Sequence, residues 1–454
     1  MLNRAQLSSK TLQARVLSGS MVLLSGSGLV TGINLAYNIA VARFLGPTGF
    51  GHATAVYTLL TLISAVTLSF QIVSAKVVAQ QESLQGKSSV YRRFERTAWL
   101  SGILVAAVLF LFQKQIADYL NLPSPILVVL LAIGAAFYVP LGSRRGFIQG
   151  AYGFRRLAIN LVIEGLARLG GSLALITMGY GVRGVIAANA GAVALAYFAA
   201  ASKLAPAGKS EVGVPHAFRE ALQAIIFFAG QVLINNCDIV LVKHFFPPVT
   251  AGLYAAVALV GRVIFAFSSA VVNSMFPIVA GTREKERKGH AVLATSLLLV
   301  AAIGSFLALA LRVAPAGIWT TFFGPQFAIA GKYSLPYLLG LYAITTVIYS
   351  LSVVIIAYEM AYKISNTWVQ LAFSGVVVAG ICRFHSSLQQ VIWVQLVLML
   401  VLFAVVATPF LMHWVEGATA RSPRADSASI RLIRRISEDQ VIAEFLKSDF
   451  NSPV

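Results

Sequence analysis

The residues most able to do chemistry in this chain lie inside apolar runs, where charged side chains are rare. Asn160, Glu164 and Arg168 follow one another at steps of four residues, which places them on one face of a helix. An acid four residues before a base can pair with it within the helix, and the pairing lowers the cost of burying both charges. Two interpretations stay open: a self-neutralised structural pair, or a site where Arg168 binds an anionic ligand and Glu164 exchanges protons or cations.

A second charged position lies near the middle of a later apolar run. Arg262 has no acid three or four residues away that could neutralise it within its own helix. We therefore expect Arg262 to bind an anion, and the alternative is a structural partnership with Asp238 or with a backbone carbonyl. Asp238 is a candidate coupling-ion site or, equally, an interfacial acid in contact with water.

Polar uncharged residues mark further helix faces. The first apolar run carries a stripe whose members fall on one face at 3.6 residues per turn. Its members are Ser20, Ser27, Thr31, Asn34 and Asn38. Such stripes either join helices through hydrogen bonds or line a cavity. We expect a cavity, with these amides as substrate-binding candidates beside Arg168 and Arg262: Asn34, Asn38, Gln71, Gln231 and Asn235.

The elements that position these residues follow from composition. Hydrophobic residues make up 58% of the 454 residues and charged residues 11%, against roughly 25% charged in soluble proteins. This excludes a soluble enzyme and a protein with a single anchor, because the apolar residues suffice for about a dozen spanning helices. The predicted spans are 16–42, 50–75, 97–113, 124–143, 157–179, 183–202, 218–243, 250–279, 290–311, 333–357, 361–382 and 389–414.

Lysine and arginine are distributed unevenly between the two sides of this topology. Of the 35 basic residues, 26 fall in the termini and loops of one side and only 7 on the other. Cytoplasmic loops hold the excess of basic residues in membrane proteins, so we expect both termini in the cytoplasm. The net charge of +19 is thereby explained without nucleic acid as a partner.

The chain contains an internal repeat at an offset of 200 residues. Residues 38–47 match residues 238–247 in a polar residue, an apolar run, a base and a proline. Because the match joins spans one and two in one copy and spans seven and eight in the other, it indicates duplication of a six-helix unit. We predict an all-α polytopic membrane protein with twelve transmembrane helices in two six-helix lobes around a central cavity. The predicted divisions are an N-terminus 1–15, an N-lobe 16–202, a linker 203–217, a C-lobe 218–414 and a tail 415–454. Two interpretations of the tail stay open: a short amphipathic helix on the membrane or a partner, or a frayed, solvated segment.

Residue patterns of catalytic and metal sites are missing from the sequence. The cysteines Cys237 and Cys382 lie in apolar runs, and the histidines lie mostly at span ends or in loops. Paired carboxylates, a nucleophile elbow and a phosphate-binding glycine loop are also missing. We expect no catalytic residues, no metal and no cofactor.

Short motifs give the chain a resemblance to a known family. These motifs are the segment ARFLGPTGFG at 42–51, Asp238, Lys243, GLYAA at 252–256 and Phe276-Pro277. Together they resemble the polysaccharide-exporting branch of the multidrug/oligosaccharidyl-lipid/polysaccharide exporter superfamily, the O-antigen flippases of the Wzx type. The resemblance covers about residues 12–415. The family motif often continues to a tyrosine where this chain has His52-Ala53, so no role is carried over to His52.

The resemblance implies a flippase that carries a polyprenyl-pyrophosphate-linked oligosaccharide from the inner to the outer leaflet by alternating access, for surface polysaccharide synthesis. It implies two six-helix lobes, the bacterial inner membrane as location, and membrane lipid, a polysaccharide polymerase or glycosyltransferases as partners. The alternatives are a cation-coupled multidrug antiporter of the same superfamily and a membrane-embedded polymerase or glycosyltransferase. The enzyme alternative is disfavoured because the longest outer loop, about 312–332, is short.

Overall fold

The computed structural model describes residues 2–81, 83–201, 215–281, 286–327, 335–361 and 367–419. Within these residues every regular element is a helix. The helices are α1 Leu2–Ala79, α2 Leu84–Leu111, α3 Gln113–Tyr119, α4 Ile126–Gly150, α5 Phe154–Thr177, α6 Gly181–Ala199, α7 Pro215–Phe245, α8 Pro248–Gly281, α9 Glu286–Val313, α10 Ala316–Phe323, η1 Pro325–Phe327, α11 Leu335–Ala361, α12 Thr367–Arg383 and α13 Leu388–Thr419. The chain divides into two units, Met1–Phe403 and Ala404–Val454, and every feature below belongs to the first.

The described helices confirm an all-α multi-pass membrane fold. By length and composition, nine of the described helices can cross a membrane, and the one over Ser25–Ala79 has 55 residues. A single crossing needs about 20 residues, so this helix holds the first two predicted spans. The break between them is Gly46, whose φ of 66° is open to glycine at little cost. Each of the other ten predicted spans also lies on a helix, including α7 and the shorter apolar segment Trp368–Arg383.

The structure corrects several predicted boundaries. Residues 80–96 and 144–156 were expected as loops, but α2 begins at Leu84 and α4 continues to Gly150. The polar first turns of α2 stay helical because the hydroxyl of Ser83 accepts a hydrogen bond from the Gly86 amide at 3.0 Å. Two presumed outer loops contain short helices, namely α3 and the pair α10 and η1. The linker 203–217 lies mostly outside the described residues, as does the tail from residue 420, so their predicted roles stay untested.

The helices pack in two groups, which we call the N-lobe (α1–α6) and the C-lobe (α7–α12 with residues 388–403). In the N-lobe α1 packs against α4, α5 and α6, and α2 packs against α4. In the C-lobe α11 packs against α8 and α9, and α7 packs against α12. The helix α1 also contacts α7, α8, α10 and η1, so it joins the lobes.

The helices α2 and α9 contain the third and ninth predicted spans, which correspond in the six-helix repeat. Both present large apolar side chains to the outside. Leu104 and Leu111 of α2 are 66% and 71% exposed, and Leu298 and Phe306 of α9 are each 71% exposed. Apolar side chains that find no protein neighbour are stable against lipid tails. These two helices therefore form lipid-facing flanks of their lobes.

Candidate functional site

The centre of the N-lobe holds a buried ion triplet on α4 and α5. The Nη2 of Arg145 lies 2.6 Å from Oε2 of Glu164, and the guanidinium of Arg168 pairs with Oε1 of the same carboxylate. All three residues are 6% exposed. The predicted contact between Glu164 and Arg168 therefore forms, one helical turn apart on α5.

Arg145 is a member of this site that the sequence analysis missed. It was counted in a basic loop, whereas in the structure it lies on α4 and points between the helices. Its Nε donates to Oδ1 of Asn160 at 2.8 Å, and Nδ2 of Asn160 donates to the carbonyl of Ala196 at 2.7 Å. These bonds satisfy Asn160 and fix the angle at which Arg145 meets Glu164.

The other edge of Arg168 is held by residues of α1. Its Nη1 donates to the Asn34 amide oxygen at 3.1 Å and to the Tyr57 hydroxyl at 2.8 Å. The guanidinium carbon also lies 5.0 Å from the centre of the Tyr57 ring, within the range of a cation–π contact. Asn34 and Tyr57 lie on opposite sides of the Gly46 break, so Arg168 ties both arms of α1 to α5.

The C-lobe carries a different arrangement around Asp238. Its Oδ2 accepts hydrogen bonds from the hydroxyls of Tyr254 and Tyr342, each at 2.9 Å. Its Oδ1 accepts from the backbone amide of Ile239 at 2.9 Å and from Nη2 of Arg262 at 2.8 Å. Four donors fill the four lone-pair positions of a carboxylate. Asp238 is 2% exposed, which excludes the interfacial, water-contacting acid considered from the sequence.

Arg262 has the acidic partner that its own helix does not provide. Besides Asp238 it donates from Nη1 to the Asn236 amide oxygen at 3.1 Å. Its side chain is 23% exposed, while its Nε is buried without a hydrogen-bond partner among the described residues. The structural partnership considered from the sequence is therefore present, and anion binding by Arg262 stays a prediction.

The remaining predicted binding residues lie close to these clusters but are tied to protein groups. Asn38 donates to the backbone carbonyl of Asn34 at 2.7 Å, and Gln71 donates to the Gln149 side chain at 3.0 Å. Asn235 donates to the carbonyl of Gln231 at 2.9 Å and to the Tyr349 hydroxyl at 3.3 Å. Their side chains are all partly buried. These bonds fit the helix-joining interpretation, and no contact described here tests a binding role.

The two clusters differ in net charge. Two arginines around Glu164 leave the N-lobe cluster with one excess positive charge, while Arg262 and Asp238 neutralise each other. Within the described residues no group of three or more histidine, cysteine, aspartate or glutamate side chains could hold a metal ion. The chemistry available here is recognition of an anion by guanidinium donors, with amide and hydroxyl groups beside them.

Comparison with known proteins identifies the family of this chain. A family model described as polysaccharide biosynthesis protein matches residues 16–283, which is more than half of the chain. The chain belongs to this family. The polysaccharide biosynthesis family is part of the MOP superfamily of transporters, so the resemblance inferred from the sequence is confirmed at that level. No curated protein matches the chain.

Solved structures share the fold of this polysaccharide biosynthesis family member. A multidrug resistance MATE family transporter of the MOP superfamily, in an inward-facing conformation, superposes with a TM-score of 0.63 at 12% identity, over 88% of this chain and 99% of that one. An outward-facing conformation of such a transporter gives 0.62 at 14% identity, over 90% and 97%. A MOP superfamily transporter from Pyrococcus furiosus gives 0.58 at 13% identity, over 87% and 95%. These matches confirm the all-α multi-pass fold class predicted from the sequence, and a count of twelve membrane-spanning helices is compatible with it.

Proposed function

We propose that this chain is a flippase that moves a polyprenyl-pyrophosphate-linked oligosaccharide from the inner to the outer leaflet by alternating access. The observation that carries the proposal is the buried Arg145–Glu164–Arg168 triplet and its excess positive charge. An unpaired buried charge is expensive, because water is excluded around it. A pyrophosphate group that enters beside the triplet would supply the missing negative charge.

Arg168 is the residue of the triplet best placed to meet such a ligand. Arg145 is enclosed by Asn160 and Glu164, whereas Arg168 is covered by Asn34 and Tyr57, which are only partly buried. The buried Nε of Arg168 has no hydrogen-bond partner among the described residues. A phosphate can join or replace the two neutral contacts and pair with the planar guanidinium through two parallel bonds.

The polar stripe of α1 supplies groups suited to the sugar part of the cargo. Ser27 and Thr31 are exposed, while Asn34 and Asn38 are partly buried beside Arg168. The stripe therefore runs from an exposed surface to the charged cluster. Hydroxyl-rich sugars would exchange hydrogen bonds with these side chains, and the prenyl chain would remain in lipid. Arg262, whose side chain is 23% exposed, would meet the same anion from the C-lobe.

A cation-coupled multidrug antiporter is the second candidate, since the MATE transporters share this fold. An antiporter of this kind needs an acid that can take up and release a cation. Both oxygens of Glu164 pair with arginines, and Asp238 already accepts four hydrogen bonds. Cation uptake at either acid would first have to break these bonds, which favours the flippase. For the Pyrococcus furiosus transporter, reversed polarity of the binding pocket is taken to suggest a different function.

The proposal places the chain in the bacterial inner membrane with both termini in the cytoplasm. The uneven distribution of lysine and arginine supports this orientation. A polysaccharide polymerase or glycosyltransferases would then act on the cargo before or after transport. Alkaline phosphatase fused near residues 120 and 320 should be active, and fused near residues 85 and 153 it should be inactive.

Reconstitution tests the proposed cargo directly. Proteoliposomes would contain a fluorescent polyprenyl-pyrophosphate oligosaccharide, and transport would be scored by its accessibility to an added glycosidase. We expect Arg168→Gln to slow transport by roughly 10- to 100-fold, because a charged hydrogen bond of about 1.5–3 kcal/mol is lost. Arg155→Gln removes an exposed arginine at the start of α5 and serves as the matched control.

A second experiment compares the transport of a charged and a neutral cargo lipid. A neutral polyprenyl glycoside should be carried poorly by the parent protein, and Arg168→Gln should change its transport little. Equal transport of both lipids by the parent, or full activity of Arg168→Gln, would contradict the anion-binding role. Cation-driven drug export by the parent without any lipid transport would establish the antiporter instead.

A further inference from the structure

Lys243 at the end of α7 is buried in a contact between the two lobes. It is 1% exposed, and its Nζ donates to the backbone carbonyl of Asn121 at 3.1 Å. Asn121 follows α3 in the N-lobe, and its Nδ2 donates back to the carbonyl of His244 at 3.0 Å. His244 in turn stacks on Tyr119, with ring centres 4.0 Å apart. A lysine of the C-lobe is thus held by the N-lobe segment 119–121.

Arg43 makes the corresponding contact in the opposite direction. It lies in the first arm of α1, and its guanidinium donates to the backbone carbonyl of Thr321 on α10 of the C-lobe. Arg43 and Lys243 are the basic residues of the sequence repeat, separated by 200 positions. Their acceptors, Asn121 and Thr321, are also separated by 200 positions. The two contacts therefore correspond to one another in the repeat and are exchanged between the lobes, although Arg43 is exposed and Lys243 is buried.

The backbones of the two lobes meet between these contacts. A Cβ atom on Gly252 would lie 1.8 Å from the Pro47 carbonyl oxygen, so α8 and α1 touch without an intervening side chain. Phe50 packs edge-on against Phe327, with ring centres 6.1 Å apart. We call this contact region the seam, defined by Arg43, Pro47, Lys243 and Gly252 with the two acceptor carbonyls. The seam lies at the end of the bundle whose loops are poor in basic residues. The count of lysine and arginine assigns this end to the outer side of the membrane.

We infer that Arg43 and Lys243 are paired latches that hold the seam closed, and that both must be released before the transporter opens at this end. Each latch is a cation bonded to a neutral carbonyl rather than to an acid. Such a bond is broken without leaving a buried carboxylate. The freed ammonium of Lys243 becomes hydrated as the seam opens, whereas Arg43 is already exposed. The latches act between the lobes, so the inference holds whichever cargo is carried.

Cysteine labelling measures seam opening without reference to transport. The native Cys237 and Cys382 are replaced by alanine and serine, and Ala256→Cys is added as the reporter. Ala256 is 1% exposed and lies one helical turn from Gly252 on α8. A membrane-impermeant maleimide is then applied to vesicles of both orientations, and the side that labels is recorded.

The latch variants are Arg43→Met, Lys243→Met and the double variant. We expect each single change to raise the labelling rate and the double change to raise it by roughly tenfold or more, since bonds to charged groups are lost. Lys243→Arg keeps a donor and should label close to the parent rate. Lys114→Met removes an exposed base of α3 at the same end and is the matched control.

Folding is checked by size-exclusion elution of each variant in detergent. Parent-like labelling of a correctly folded double variant would overturn the latches. If the double variant does not fold, the test rests on the two single variants, each of which keeps one latch. An unchanged labelling rate in both single variants would also overturn the inference. Increased labelling in Lys114→Met to the same extent would assign the effect to surface charge and also refute it.

Discussion

Gly261 of α8 lies against the ring of Tyr342 of α11, where a Cβ atom would come 2.2 Å from Cδ1 of the tyrosine. The hydrogen at this position lets the Tyr342 hydroxyl reach Asp238 at 2.9 Å. The packing of one glycine thus controls how many donors the buried carboxylate receives.

Gly261→Ala should displace Tyr342 and weaken its bond to Asp238. We expect a loss of stability of roughly 1–3 kcal/mol from overpacking, visible as a lower melting temperature in detergent. Gly191→Ala is the matched control, since Gly191 is at an exposed position of α6 and its Cβ would meet nothing within 4 Å. That control should be neutral or stabilising by up to about 1 kcal/mol because alanine favours helix. Equal melting temperatures for both variants would show that Tyr342 adjusts freely.

Glu164→Gln should destabilise the protein because two buried arginines lose their shared counter-charge. Breaking a buried pair in this way costs about 3–5 kcal/mol. Adding Arg145→Gln should recover part of this loss, since one of the two unpaired charges is removed. Thermal unfolding of the two single variants and the double variant gives the coupling between the residues.

The control for Glu164 is Glu95→Gln in the partly exposed pair with Arg144. Those two side chains are 19% and 17% exposed, and Glu95 also accepts a hydrogen bond from the Tyr197 hydroxyl at 2.9 Å. The loss should be smaller than at Glu164, because only one arginine loses its counter-charge. A smaller loss at Glu164 than at Glu95 would mean that the triplet is hydrated, contrary to the burial described here.

Tyr57→Phe separates the two ways in which Tyr57 holds Arg168. The change removes the hydroxyl that accepts the 2.8 Å hydrogen bond and keeps the ring below the guanidinium. We expect a stability loss of about 1 kcal/mol from the bond, and a further loss of about 0.5–2 kcal/mol in Tyr57→Leu from the cation–π contact. Tyr180→Phe, which changes a 61% exposed tyrosine, is the control. A result in which both Tyr57 variants melt like the parent would show that Arg168 is positioned by Glu164 and Asn34 alone.

Sequence spacing predicted those site contacts that lie within one helix and missed those between helices. Glu164 and Arg168 were found because a step of four residues fixes their distance on α5. Arg145 was missed because adjacent arginines read as a cytoplasmic loop, and only the packing of α4 on α5 turns one of them inward. The adjacent Arg144 points elsewhere, towards Glu95.

The Arg262 partner shows the same limit. Asp238 was named as a possibility, but its distance from Arg262 depends on how α7 and α8 lie together, which periodicity does not encode. The sequence repeat carried more information than local spacing did. Its offset of 200 residues predicted the two-lobe architecture, and the same offset relates the acceptors Asn121 and Thr321, which share no residue type.

The Arg145–Glu164–Arg168 triplet also bears on how the protein behaves between compartments of unequal acidity. Guanidinium groups keep their proton throughout the physiological pH range. Glu164 forms ion pairs with two of them. If the triplet binds a phosphate as proposed, its attraction for that group would therefore be the same whether the site is open to an alkaline cytoplasm or to acidic surroundings. Direction must then come from the supply and removal of cargo, or from another group, rather than from a change of charge at this triplet.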